Sequence, residues 1–156
     1  MTRALCAVLL CLASVARAAD DDPNAIARTV GEKFAVACGA ADVEAVLALY
    51  RDDARVVYPG AGLTASNPAE LRKIVTATCV AGGPKFTLVG YRAVWADSAH
   101  TVVAALADWT ATAPGPDGKP ATTQVRATEV LAKTPAGWKY VVDHASVGVP
   151  APAPRP

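Results

Sequence analysis

At Pro84 the hydrophobic period of the chain changes, and this change constrains the fold more tightly than any other feature. Before it, apolar residues recur every three or four positions, the spacing of helices with one buried face. After it, four segments alternate instead: Lys85 to Asp97, His100 to Ala113, Thr122 to Lys133 and Trp138 to Val147. They are rich in Val, Thr, Trp and Tyr, as half-buried strands are. Their connectors are short and built from Gly, Pro, Asp, Ser, Ala and Thr, so an antiparallel meander is predicted. Helices followed by strands make an α+β domain.

The helical half is punctuated by caps. Asp22 before Pro23 starts a first helix with Ile26, Val30, Phe34, Ala37 and Cys38 on its apolar side, ending at Gly39. Asp42 starts a second, shorter one whose stripe is Val43, Val46, Leu47 and Tyr50. Asn67, Pro68 and Glu70 form a capping box for a third, through Leu71, Ile74, Val75 and Thr78. Between the second and third, residues 55–59 are predicted to be a short strand and residues 60–65 a loop.

The first 18 residues carry an export signal by pattern: Arg3, an apolar run from Ala4 to Val15, and small residues at Ala16 and Ala18. The run is shorter than the ~20 residues a membrane span needs. The expected protein is therefore exported, periplasmic or secreted, with no membrane attachment after cleavage. Residues 19–149 form one domain, and the Pro-rich residues 150–156 an extended tail. Without Arg3 and Arg17 the chain holds 13 Lys plus Arg against 14 Asp plus Glu, a net charge of −1. That balance leaves no electrostatic footprint for nucleic acid.

Cys38 and Cys79 remain after the signal. In an oxidising compartment an isolated pair reads as a disulfide, here closing a loop of about 40 residues. Two buried free thiols, or redox chemistry, are the other readings. The spacing lacks the paired clusters of a zinc site, and no phosphate loop or nucleophile elbow is present. No cofactor or metal is implied.

Strict alternation along the last two strands puts Arg126, Thr128 and Val130 on one face, and Trp138, Tyr140, Val142, His144 and Ser146 on one face of the next. An Arg and a His then share a concave surface. Helix, helix, strand, helix and four strands resemble the nuclear transport factor 2-like (cystatin-like α+β) superfamily, with its SnoaL-like cyclases and ketosteroid isomerases. The segments Arg126 to Val130 and Gly137 to Ser146 are similar to the closing hairpin of bacterial SnoaL-like proteins related to the association domain of calcium/calmodulin-dependent kinase II. Asp143 stands where those relatives commonly carry a His, and Val147 where they carry a Ser. The resemblance implies a cone-shaped, curved antiparallel sheet with the three helices on its concave side.

It also implies a pocket. The candidate ligand-binding residues are Arg126, His144, Asp108 and Tyr58, for a small, partly apolar molecule, anionic if Arg126 faces inward unpaired. An Arg126–Asp108 ion pair is the structural alternative for both residues. For ketosteroid-isomerase-like chemistry the first helix offers only Phe34 where a Tyr would be required. The resemblance thus leaves three functions: a ligand-binding protein, an assembly module whose outer sheet face of Ala105, Ala107 and Trp109 joins a homodimer or higher homo-oligomer, and a small cyclase, isomerase or dehydratase.

Overall fold

Each helix begins at the cap its sequence supplies. The computed structural model describes residues 22–59 and 63–147; the expected export signal, residues 19–21 and 148–149 of the expected domain, residues 60–62 of the expected loop and the expected Pro-rich tail lie outside the described residues. Helix α1 (Pro23–Gly39) starts where the Asp22 carboxylate accepts from the Asn24 N–H at 3.0 Å. Helix α2 (Val43–Leu47) starts where Asp42 accepts from Ala45 N–H, and α3 (Pro68–Thr78) where Asn67 accepts from Glu70 N–H. Glu70 reaches back to the N–H and hydroxyl of Ser66, one residue before the cap. These contacts satisfy amide groups that a helix leaves open at its start.

Six strands follow or interleave: β1 (Tyr50–Val57), β2 (Thr64–Ala65), β3 (Lys85–Trp95), β4 (Val102–Pro114), β5 (Pro120–Thr134) and β6 (Gly137–Val147). They form one sheet in the order β2-β1-β6-β5-β4-β3. The last four are the predicted antiparallel meander, but β1 lies parallel to β6, so the sheet is mixed. Tyr50, expected on the stripe of the second helix, opens β1 instead. Its ring packs 4.9 Å from that of Tyr140 and its backbone pairs with the same residue, a tertiary contact that outweighs helical spacing.

One β-bulge decides which side chains enter the concavity. Leu131 pairs with Tyr140, but Val130 pairs with Val142, so β6 carries one extra residue there. An extra residue reverses the alternation beyond it. Trp138 and Tyr140 therefore face the helices, and so do Asp143 and Ala145, whereas Val142, His144 and Ser146 turn outward. A second bulge, between Leu88 and Gly90, does the same on β3: Phe86 and Leu88 face in, then Tyr91, Ala93 and Trp95.

The core fills the space between the helices and this inner face. Ala27, Val46, Val75, Val103 and Leu131 are fully enclosed. Phe34 of α1 meets Phe86 and Trp109 edge-on, with ring centroids 5.7 and 6.0 Å apart. Ala105, Ala107 and Trp109, expected on the outer face, belong to this core, because β4 turns its odd-numbered residues inward. Asn24 closes part of the free edge of β3 by accepting from the Ala93 N–H at 2.9 Å. Cys38 at the end of α1 is bonded to Cys79 at the end of α3, with Cα atoms 4.6 Å apart, which ties the two helices together on the sheet.

Candidate functional site

The inner face of β5 reads Val125, Ala127, Glu129, Leu131: a single acid in an apolar row. Glu129 is only 2% exposed, and the Tyr91 hydroxyl donates to its Oε2 at 2.6 Å. The Trp109 and Tyr140 side chains lie with it along the same lining. Its Cα partner across the ladder is Asp143, carried inward by the β6 bulge. The Tyr50 hydroxyl donates to Asp143 Oδ2 at 2.7 Å. Two carboxyl groups, each held by a tyrosine, thus sit side by side on one apolar wall.

That wall borders a recess lined by Phe34, Phe86, Trp109, Tyr58 and Ala145 together with both acids. Its enclosed part is about 30 Å³, room for one or two waters, and the whole hollow with its mouth is about 390 Å³. Tyr58 is buried at the end of β1, and its hydroxyl has no hydrogen-bond partner among the described residues. A buried hydroxyl without a partner costs free energy, so it is a position where a ligand oxygen or a water is favoured. No Arg, Lys or His lines the hollow among the described residues.

Burial shifts the two acids in the same direction but to different extents. Glu129 is pushed up to about 8, chiefly because its charged form would be desolvated and secondarily by the charge of Asp143; the bond from Tyr91 opposes this. Burial raises Asp143 to about 6, opposed by the Tyr50 bond and by the charge of His144. With both acids raised and facing each other, the pair retains a proton toward neutral pH, and the larger upward shift falls on Glu129, a bias that suits general acid and base chemistry. Burial also raises the Tyr58 and Tyr91 hydroxyls, which stay protonated; Tyr91 donates to Glu129, and among the described residues the Tyr58 proton is free to be donated.

The four ligand-binding candidates read from sequence separate. Tyr58 lies in the hollow. Arg126 and His144 stand on the outer face, both exposed, and Asp108 is partly exposed beside them. Arg126 Nε lies 3.6 Å from Asp108 Oδ1, and Arg92 donates to Asp108 Oδ2 at 3.3 Å, so these charges form a row across β3, β4 and β5. The expectation that Arg126 and His144 share the concave surface is corrected by two facts: even-numbered residues of β5 point outward, and the bulge sends His144 out with them. Glu129 was missed from the sequence, where its one signal is its place as the lone acid in the alternating row Val125, Ala127, Glu129, Leu131. Asp143 could be placed only once the bulge was known.

The sequence profile of the SnoaL-like domain matches residues 27–151, most of the chain. The chain belongs to the SnoaL-like domain family. Solved structures agree with this assignment. The SnoaL-like chain superposes on a nuclear transport factor 2-like protein with a cystatin-like fold from Novosphingobium aromaticivorans at a TM-score of 0.71 and 18% identity, covering 91% of this chain and 90% of that one. A Xanthomonas campestris protein named for the calcium/calmodulin-dependent protein kinase II association domain gives 0.70 and 17%, covering 81% and 87%. A ketosteroid isomerase-like protein from Erwinia carotovora atroseptica gives 0.65 and 19%, covering 83% and 99%. At these identities the likeness establishes the shared fold. No curated protein matches the chain.

Proposed function

We propose that this SnoaL-like domain binds a small, largely apolar, neutral molecule and performs proton transfer on it, in the class of isomerases and dehydratases. The observation that carries the reading is the inward placement of Glu129 and Asp143, paired neighbours on β5 and β6 facing one apolar hollow. Protonated Glu129 and the Tyr58 hydroxyl would donate to a carbonyl oxygen, and the Asp143 carboxylate would take an acidic C–H proton. Two acids without a cation in the lining argue against the anionic ligand considered from sequence. The Cys38–Cys79 bond supports an exported, oxidising location. The name of the ketosteroid isomerase-like neighbour is in line with this chemistry.

The test uses 2-tetralone, an apolar ketone with acidic C–H groups beside its carbonyl; the enclosed space admits its carbonyl end and leaves its rings in the open mouth. In D2O at neutral pD the protein should accelerate deuterium uptake at those carbons, followed by NMR, and Asp143→Asn should abolish the acceleration. Uptake at the buffer rate with folded wild-type protein contradicts the reading.

Assembly is a second reading with its own support. Val94 and Leu106 are exposed on the outer face, 63% and 51%, beside the Arg92–Asp108–Arg126 row, and Val89 is exposed at the β3 bulge. Two structural neighbours are named for association domains. A second copy would cover this face; light scattering that gives a monomer at high concentration removes the reading.

A further inference from the structure

We infer that Gly31 is a positioning residue: its missing side chain lets Tyr91 pass beneath α1, beside Trp109, and hold Glu129 in place. Gly31 sits inside the 17-residue helix α1, buried, on the face that also carries Ala27 and Phe34. Gly is among the poorest helix formers, so its place there calls for a spatial reason. A Cβ at Gly31 would lie 2.6 Å from the Tyr91 hydroxyl oxygen, 3.0 Å from Tyr91 Cε2 and 3.2 Å from Trp109 Cζ2. By contrast, a Cβ at Gly39, in the same helix, would meet nothing within 4 Å.

Of the two side chains that Gly31 admits, Tyr91 donates to Glu129 and Trp109 lines the same hollow. The Tyr91 ring is rigid and its hydroxyl is the nearest atom, so a methyl group at position 31 cannot be absorbed by a flexible chain end. The hydroxyl has to move, and with it the 2.6 Å bond to Glu129 Oε2. Helix α1 thereby acts as a gauge that sets the hydrogen bonding of an acid on β5 through a tyrosine on β3. The inference deepens the reading of Glu129 as the acid of the pocket, and its readout needs no ligand. It can therefore fail while ligand binding and proton transfer stand.

The experiment is a carboxyl carbon-13 NMR titration of Glu129 in the wild type, Gly31→Ala, Tyr91→Phe and the double variant. The Tyr91 bond favours the ionised carboxylate. Gly31→Ala should therefore move the Glu129 midpoint upward, Tyr91→Phe should do the same, and the double variant should match Tyr91→Phe. The double variant should also recover most of the melting temperature that Gly31→Ala loses, because the closest clashing atom is gone. A Glu129 midpoint in Gly31→Ala equal to that of the wild type overturns the inference, as do shifts that simply add. If Gly31→Ala does not fold, a folded double variant supports it and an unfolded one overturns it.

Discussion

Replacing Glu129 with Gln should stabilise the protein at neutral pH and flatten its pH dependence. The folded state keeps Glu129 protonated up to about pH 8, while in the unfolded chain the group titrates near its ordinary value of 4.5. Between those values the folded state binds more protons than the unfolded one, so stability falls as pH rises, and the slope for one proton is about 1.4 kcal/mol per pH unit. From pH 5 to pH 7 Glu129 should account for a loss of about 3 kcal/mol, with a ceiling of about 5 kcal/mol across the full window, and Asp143, raised to about 6, should add about 1 kcal/mol that Glu129→Gln retains. Below pH 4.5 this contribution is fully present, and above 8 it is gone. The amide introduced by Glu129→Gln has nearly the same shape as the carboxyl group and can still accept from Tyr91, but it does not titrate. Urea denaturation followed by circular dichroism at pH 5, 6, 7 and 8 measures the difference. The exposed carboxylates that are held low, Glu44, Glu70 and Asp97, change protonation below this window and do not mask it. A wild-type stability that is flat or rising from pH 5 to 7, or an equal slope in Glu129→Gln, refutes the reasoning.

Three further outcomes follow from the same geometry. Cys38→Ser with Cys79→Ser opens a loop of 41 residues' separation and should cost about 4 kcal/mol by chain entropy, read as a lowered urea midpoint; a loss under about 1 kcal/mol would contradict it. Tyr58→Phe removes a buried hydroxyl without a partner and should leave stability equal or raise it by about 1 kcal/mol while weakening 2-tetralone binding, followed by intrinsic tryptophan fluorescence; a large loss of stability would show a structural bond at that oxygen. Arg126→Ala with His144→Ala alters only the outer face, so 2-tetralone affinity should be unchanged and stability should shift by about 0.5 kcal/mol or less; a lost affinity would return those residues to the site.

The fold was legible because its signals are local. Asp22, Asp42 and Asn67 mark three helix starts, and the change of period at Pro84 marks the sheet. The site was not, because it depends on where two strands slip by one residue. Strict alternation groups Trp138 and Tyr140 with His144 and Ser146; the extra residue beside Val130 groups them with Asp143 and Ala145. A bulge leaves little mark in one sequence, since Val141 and Val142 suit either face. The same reasoning misplaced Trp109, whose strand has no bulge, for want of a rule saying which face of β4 meets the helices. The parallel pairing of β1 with β6 joins residues about 90 positions apart, and no local pattern reports it.

The account rests on two acids inside the hollow dividing into a protonated and an ionised form. A carboxyl carbon-13 titration of the wild-type protein measures this directly: Glu129 should titrate near 8 and Asp143 near 6. Midpoints for both near 4, the ordinary range of exposed carboxylates, would contradict it.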